Sequence, residues 1–384
     1  METTLSRVHD LVSEINKRAP EIESARQLPA DLVARIGQAG CFRMLVPASH
    51  GGDDIGLPAA LRVIETLARA DGATGWTISV LAAAPVILGF LPPATYDEIY
   101  ASCPDLISAG VFAPKGTAVR EGDGWRVSGR WPFVTGCHHA SWIFMHCVVY
   151  DDGKPQLVNG APVMRMAVLP VGEVKIIDTW ETMGLRGSGS DDVRVRNAFC
   201  PDEYTFRLLG GTPSMQGVTF NIAPYDQLGL FIAPVLLGIA QGALDEVTEL
   251  AAGGKRSAFS AHRMAESPDF QERLGEAHLI LLAARALLYE HVQSAWAKAE
   301  SDTPPESLDY ATRLAICARV ATMTTTIVDT AYNIAGGSAL YNSSPLQRRL
   351  RDIHTATQHV AARRGAYKNV GALLLGEQPG ALPV

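Results

Sequence analysis

Two short segments of the chain place polar side chains of catalytic type among apolar neighbours. In the first, WPFVTGCHHASW (131–142), the hydroxyl of Thr135 follows a run of apolar residues. A hydroxyl in such surroundings can donate a hydrogen bond where water is excluded. The second, SPLQRRLRDIHTATQHV (344–360), ends near His359, and a histidine can exchange a proton near neutral pH. These residue types predict hydrogen bonding and proton transfer at a reacting group.

The second segment also has a purely structural interpretation. On a helix, Arg348, Arg351 and His354 share one face, whereas His359 points to a neighbouring face. The same pattern is typical of a solvated basic face that carries an ordinary structural histidine. The spacing alone leaves both interpretations open.

One glycine cluster has the composition of a nucleotide-binding loop but not its spacing. In MGLRGSGSDD (183–192), the GxGxxG pattern would need glycine where Asp192 stands, and the segment lies between predicted strands. The chain also contains no Walker A sequence. We therefore expect a separate protein to oxidise NAD(P)H and to supply the reducing equivalents.

Composition and charge are those of a globular protein. The 384 residues have a formal net charge of −7, with 47% hydrophobic and 19% charged residues. This balance argues against nucleic acid or an anionic membrane as the main partner. The six cysteines form no CxxC or CxxH pair, which argues against a disulfide framework or a metal site and favours a cytoplasmic setting.

The chain shows no pattern typical of export or membrane insertion. Its N-terminal residues carry acids and bases throughout and lack the apolar core of a secretory signal. The most apolar stretch, 76–91, has 16 residues and is interrupted by Pro85, whereas a membrane helix needs ~20. We expect this stretch to form a buried core helix.

Apolar periodicity divides the chain into three predicted domains. Residues 1–105 have helical spacing, with Pro29 and Pro58 at helix starts. Residues 106–224 contain short strands between turn residues, which predicts an antiparallel β barrel or sandwich. Residues 225–384 predict a four-helix bundle. Its helices are expected at 233–252, 268–299, 306–335 and 346–374.

Four motifs, in this order, resemble the acyl-CoA dehydrogenase superfamily. They are CFRMLVPASHGGDDIGLP (41–58), TMGLRGSGSDDV (182–193), KRSAFSAH (255–262) with Phe270 and Gln271, and AGGSALYNSSPLQRRLRD (335–352). The resemblance implies a mainly α fold with a central β domain, an N-terminal helical domain and a C-terminal four-helix bundle. It also implies a flavin held between the domains and across a subunit interface, in a homotetramer or homodimer.

The glutamate base of the dehydrogenases is absent. Its place, eight residues beyond the Arg351-Asp352 pair, falls on Val360, which cannot remove a proton. A dehydrogenase or desaturase with a base on an earlier helix, Glu246 or Glu249, remains an alternative function. A third possibility is a flavin-binding protein without catalytic activity.

Two segments instead resemble the flavin-dependent monooxygenase branch of this superfamily. WPFVTGC is similar to its W-x-F-S/T-G-C segment, and RDIHTATQHV to its RDxHxAxxHV segment. The branch implies the oxygenase component of a two-component system, which uses reduced FAD or FMN and O2. A C4a-hydroperoxyflavin would hydroxylate a small aromatic or indole-like molecule. Thr135 is then expected to hydrogen bond flavin N5, and His359 to be the acid/base.

The same resemblance assigns cofactor contacts residue by residue. They are Trp131, Phe133, Thr135, Arg186 and Ser188 in the β domain, and Arg256, Phe259, Gly336 and Gly337 in the C-terminal domain. Arg256 is expected to bind a flavin phosphate, with Phe259 packed near it. No metal is implied.

One histidine of the branch is missing. Many aromatic hydroxylases carry it in the segment that here reads TGWTISVLAAAPVILGF, with alanines and Pro85 in its place. His138 and His139 could replace it, or could belong to a surface loop. The departure points to a larger, more apolar or indole-like substrate rather than a simple phenol.

Overall fold

The computed structural model describes residues 3–100, 103–256 and 262–378, without the side chains of 224–226 and 228. The N-terminal part consists of helices, as predicted. Pro29 precedes the second helix, and Asp71 caps the fourth by accepting a hydrogen bond from the Thr74 backbone N–H at 2.8 Å. The helices are α1 (Thr4–Ala25), α2 (Ala30–Gln38), α3 (Leu57–Ala70), α4 (Gly72–Leu88) and α5 (Pro93–Tyr100).

Helix α4 lies at the centre of the molecule. It packs against α3 and against elements of both later parts of the chain, the strand beginning at Ser108 and the helix beginning at Pro224. Nearly all its residues are buried, which confirms the predicted core helix. A helix that touches all three parts can position side chains where they meet.

The central part forms one mixed sheet. Its strands are β1 (Ser108–Glu121), β2 (Gly124–Trp131), β3 (Trp142–Asp151), β4 (Lys154–Pro155), β5 (Leu157–Val158), β6 (Ala161–Pro162), β7 (Met164–Pro170), β8 (Lys175–Ile177), β9 (Asp192–Pro201) and β10 (Thr205–Phe206). The main sheet has the order β10-β7-β3-β1-β2-β9-β8, with β4 paired to β3. Strands β5 and β6 form a separate hairpin.

The prediction of a wholly antiparallel domain was wrong at the centre of the sheet. Strands β1 and β3 are parallel, from the Ser108–Trp142 pair to the Val119–Tyr150 pair. After β2 the chain crosses back along 132–141, so β3 starts from the same end as β1. This crossover segment carries Thr135.

The C-terminal helices are α6 (Pro224–Ala252), α7 (Pro268–Glu300), α8 (Ser307–Ala335), α9 (Pro345–Ala356) and α10 (Ala366–Leu374). Helices α7 and α8 match the predicted bundle helices closely, whereas α6 ends as predicted but begins at Pro224 instead of residue 233. The fourth, predicted at 346–374, is two helices separated by a short turn at Val360–Ala362. The His359 side chain caps that turn, accepting a hydrogen bond from the Ala361 N–H at 3.2 Å, so the chain leaves the helical path before His359.

Among the described residues, one helical stretch, Gly229–Ala252, is long and apolar enough to cross a membrane. Of its apolar window, 83% is buried inside the molecule. It packs against α3, α7, α8 and α9, as the core helix of the bundle does. All six cysteines are free, and five of them are buried.

Candidate active site

A cavity of about 860 Å³ lies where the three parts of the molecule meet. Its wall is formed by α4, β1, the loops 133–135 and 180–190, the first turns of α6 and α8, and residues 355–369. Most lining side chains are apolar. Sites for small ligands commonly have this size and composition, with a few placed polar groups.

The crossover loop after β2 brings Thr135 into the cavity wall. Its backbone is tied to the loop before β9, because Val134 N–H donates to the Asp191 carbonyl (3.1 Å) and Gly136 N–H to the Ser188 carbonyl (3.2 Å). Gly136 has φ 70°, and a Cβ there would meet the Leu81 side chain at 2.8 Å. The loop therefore needs glycine both for its turn and for its approach to α4.

The Thr135 hydroxyl belongs to a buried row of polar groups. Its Oγ1 accepts a hydrogen bond from Trp76 Nε1–H at 3.3 Å and lies 2.8 Å from Ser190 Oγ. Ser190 Oγ lies in turn 2.8 Å from Ser188 Oγ. Thr135 and Ser190 line the cavity, whereas Ser188 lies behind them.

His359 lines the same cavity from the other side of Trp76. The two rings meet edge to face, with centroids 5.6 Å apart. Because Nδ1 accepts the Ala361 N–H, the neutral ring carries its hydrogen on Nε2. Burial, with a contribution from the charge of Arg363, lowers the pKa of His359 to about 4. This shift disfavours titration near neutrality, which the sequence led us to expect for His359.

Aromatic side chains shape the wall beside Thr135. Phe133 has φ 65° and exposes 68% of its surface, and it meets Trp180 edge to face at 6.2 Å. Trp180 is fixed by donation from Nε1–H to the Leu185 carbonyl at 3.0 Å. Exposed aromatic faces beside a hydroxyl suit a flat heteroaromatic ring, and this part of the wall fits a flavin.

The remaining predicted cofactor contacts lie outside the cavity wall of the described chain. Trp131 is fully buried, with its indole N–H donating to the His146 carbonyl at 2.8 Å. Arg186 donates to the Thr182 carbonyl of its own loop at 3.0 Å. Gly336 and Gly337 are exposed at the end of α8, and Arg256 is exposed beyond α6. Phe259 lies outside the described residues.

The alternative histidines and bases are also placed elsewhere. His138 is exposed and pairs with Asp191 at 2.7 Å, and neither it nor His139 lines the cavity. Glu246 is buried against Arg349 at 3.0 Å, and Glu249 is exposed on α6. Neither glutamate lines the cavity. The described residues contain no cluster that could hold a metal ion.

Sequence reasoning missed one residue that completes the site. Trp76 touches both Thr135 and His359 and is 8% exposed, but its position in an apolar run suggested only core packing. Of the serines between 188 and 190, Ser190 lines the cavity and Ser188 does not. A polar N–H within a very apolar helix is the one signal in the sequence that could have identified Trp76.

The chain matches two family models. Residues 3–94 match the acyl-CoA dehydrogenase N-terminal domain, and residues 230–364 match the acyl-CoA dehydrogenase C-terminal domain. Over 364 residues it is 32% identical to the indole-3-acetate monooxygenase of Pseudomonas putida, covering 94% of this chain and 91% of that protein. The chain belongs to the acyl-CoA dehydrogenase superfamily, in its flavin-dependent monooxygenase branch.

Two further comparisons agree with this family. The chain is 28% identical to the oxygenase subunit HsaA of a flavin-dependent monooxygenase from Rhodococcus jostii, covering 93% of this chain and 94% of HsaA. The structure of XiaF from a Streptomyces species, in complex with FADH2 and glycerol, superposes with a TM-score of 0.91 at 25% identity. It covers 98% of this chain and 96% of XiaF. The chain is a flavin-dependent monooxygenase of the acyl-CoA dehydrogenase fold.

Proposed function

We propose that this chain is the oxygenase component of a two-component monooxygenase that hydroxylates a small aromatic or indole-like molecule. One observation carries the proposal: the Thr135 hydroxyl and the His359 imidazole line one apolar cavity, on either side of Trp76. The names of the relatives support it, because they include an indole-3-acetate monooxygenase and the oxygenase subunit of a flavin-dependent monooxygenase.

The flavin is proposed to lie against the wall formed by Phe133, Thr135 and Trp180. When bound there, reduced FAD or FMN would supply the chemistry by forming a C4a-hydroperoxide with O2 and passing one oxygen atom to the substrate. The FADH2 complex of XiaF favours FAD. The apolar lining keeps water from the reacting atoms.

The hydroxyl row leaves Thr135 one free acceptor position. The Trp76 indole N–H can only donate, so one acceptor position of Thr135 Oγ1 is occupied. When Thr135 donates its hydrogen to the Ser190 hydroxyl, the second acceptor position of Oγ1 is free for a ligand in the cavity. We propose that it accepts there from the N5–H of reduced flavin.

His359 is proposed to act as a neutral hydrogen-bond donor. With its pKa lowered to about 4, the ring is uncharged at neutral pH, and its Nδ1 is already bound to the Ala361 N–H. Only Nε2–H remains for the substrate, so His359 would hold an oxygen or another acceptor on the substrate. This role replaces the acid/base role that the sequence suggested.

Three further parts of the proposal concern partners and setting. A separate NAD(P)H:flavin reductase would supply the reduced flavin, since the sequence has no dinucleotide motif. The enzyme would work in the cytoplasm, which suits its free thiols, and as a homotetramer or homodimer.

The test combines the purified protein with a generic NADH:flavin reductase, flavin, ¹⁸O2 and a panel of phenols and indoles. The proposal predicts one ¹⁸O atom in an aromatic product, and no NADH oxidation when the reductase is omitted. Absence of ¹⁸O from every product, together with anaerobic reduction of bound flavin by an acyl-CoA, would support the displaced-base dehydrogenase instead.

A further inference from the structure

The charge of the cavity wall has one sign. Among the described residues that line it, none is acidic, and the two charged side chains are the cations Lys115 and Arg363. The chain as a whole has a net charge of −7, so a cavity with only cations differs from the average surface. A positive, mostly apolar cavity favours an apolar ligand that carries an anionic group.

Arg363 belongs to a row of side chains from one segment. Arg363, Ala366 and Asn369 follow one another at intervals of three residues, and all three line the cavity. Ala366 and Asn369 lie on the first turn of α10, where residues three apart share a face. The small Ala366 side chain leaves room between the guanidinium and the amide.

Both polar members of this row lack partners in the described part of the chain. Asn369 is only 6% exposed and lines the cavity, and its side-chain amide makes no hydrogen bond to the described residues. A polar group in a mostly apolar wall is stabilised when a ligand supplies its hydrogen bonds. Arg363 likewise has no ion pair there, in contrast to Arg349 and Arg351 on α9. Both groups are available to a ligand.

The position of Arg363 indicates which ligand it serves. Arg363 follows His359 by four residues and lines the same cavity as His359 and Trp76. Its charge also contributes to the lowered pKa of His359. Under the proposed function this is the end of the cavity where the substrate reacts. The phosphates of a flavin lie at the far end of its ribityl chain, away from the reacting ring.

We propose that Arg363 and Asn369 bind a carboxylate on the aromatic substrate. The substrate class is then an aromatic or indole-like acid, with its ring in the apolar part of the cavity. The guanidinium forms the ion pair and the Asn369 amide donates a hydrogen bond, a pairing suited to a planar anion. This inference rests on the proposed function, because it assigns the ligand of that site.

A matched pair of probes tests the carboxylate site by binding alone. Indole-3-acetate and 3-methylindole share a ring and differ by the carboxylate, and both are titrated by calorimetry into the FAD-loaded protein. We expect the acid to bind about tenfold more tightly or better, since hydrogen bonds to charged groups contribute this much. Raising the salt concentration should weaken binding of the acid more than binding of 3-methylindole.

Three variants locate the site. Arg363→Gln is expected to lower the acid-to-neutral affinity ratio about tenfold, and Asn369→Leu to lower it severalfold. Arg364→Gln is the matched control: both arginines are exposed, but Arg364 does not line the cavity, so this variant should keep the wild-type ratio.

Two results would overturn the inference. The first is equal or tighter binding of 3-methylindole by the wild-type protein. The second is an Arg363→Gln variant that keeps the wild-type ratio but binds FAD more weakly, which would assign Arg363 to the flavin phosphate. The ¹⁸O experiment judges the hydroxylase role separately: selective binding of the acid without ¹⁸O incorporation would leave the carboxylate site standing and remove the proposed function.

Discussion

Helix α9 and the segment that follows it are both basic, but their charges have different surroundings. Each arginine of α9 faces a carboxylate, and these pairs connect the helix to other parts of the chain. The pairs are Arg348 with Asp71 (3.9 Å), Arg349 with Glu246 (3.0 Å) and Arg351 with Glu23 (2.5 Å). Beyond the helix, His359 and Arg363 face the cavity, where no described lining residue is acidic. The comparison predicts that changes on α9 affect stability, whereas changes at the cavity affect chemistry.

Arg349→Met should have the largest effect, on the free energy of unfolding. The guanidinium is 2% exposed and donates to Glu246 and to the carbonyls of Ala68, Arg69 and Ala70. Its removal leaves the Glu246 carboxylate buried without a cation, which costs about 3 to 5 kcal/mol. Urea unfolding measures the loss. Arg351→Met, which breaks a pair that is about a quarter exposed, should cost about 1 kcal/mol or less.

Asp352→Asn should flatten the dependence of stability on pH. Burial, with the nearby charge of Asp71, raises the pKa of Asp352 to about 7 from 3.8. The folded state therefore favours the protonated carboxyl, and this stabilisation is lost as the pH rises from about 4 to about 7. The expected loss over this whole interval is on the order of 4 kcal/mol. Asparagine keeps an oxygen for the Leu185 N–H, which donates to Asp352 Oδ1 at 2.6 Å.

Unfolding of the wild type and of Asp352→Asn at pH 5 and at pH 7.5 gives the comparison directly. The wild type should lose more stability over this interval than the variant. Equal losses would show that Asp352 has an ordinary pKa in the folded protein. Asp352 would then contribute nothing to the pH dependence of stability.

Thr135→Ala should change the fate of oxygen and leave the fold intact. Loss of the hydroxyl removes the proposed hydrogen bond to flavin N5–H, so more O2 should end as hydrogen peroxide and less as product. Removing one buried hydrogen bond is worth ~1 to 3 kcal/mol, or roughly a factor of ten to a hundred in the ratio of product to peroxide. Thr135→Ser keeps the hydroxyl and serves as the control. An unchanged ratio in the alanine variant would refute the role.

Trp76→Phe should have the smallest effect on the same ratio. Phenylalanine keeps an aromatic ring beside His359 but cannot donate to Thr135 Oγ1. We expect a decrease of about twofold to tenfold, the value of one neutral hydrogen bond. In the double variant with Thr135→Ala, the indole N–H has no Thr135 to orient, so the two effects should not add. Full additivity would mean that Trp76 acts independently of Thr135.

The sequence predicted the order of the helices and strands along the chain better than the direction in which the strands pair. Helical spacing in 1–105 and strand patterns in 106–224 matched the observed change from helices to strands, while the exact domain boundaries remain a prediction. Parallel pairing of β1 with β3 was not predictable, because it depends on where the crossover segment 132–141 runs in space. Strand patterns carry no information about that direction.

The sequence identified residues of the candidate site but not their surroundings, because the surroundings depend on tertiary structure. Thr135 and His359 were found from local motifs, and the structure places both in one cavity. The helix break before His359 was missed, because HTATQHVAAR is a plausible helical sequence. The break is stabilised by a local hydrogen bond from the Ala361 backbone N–H to the His359 ring, which the sequence pattern does not reveal. The low pKa of His359 was also missed, because it comes from burial among residues distant in the chain.

The most direct test of the account is the rate of hydroxylation by His359→Ala, measured by rapid quench on flavin-saturated enzyme from pH 5.5 to 8.5. Loss of the Nε2–H donor should slow the reaction about a hundredfold at every pH. In the wild type, the pKa of about 4 predicts no inflection near pH 6.5 from His359. A variant that hydroxylates at the wild-type rate would contradict the account, and an inflection near 6.5 that disappears with His359 would contradict the neutral-donor role.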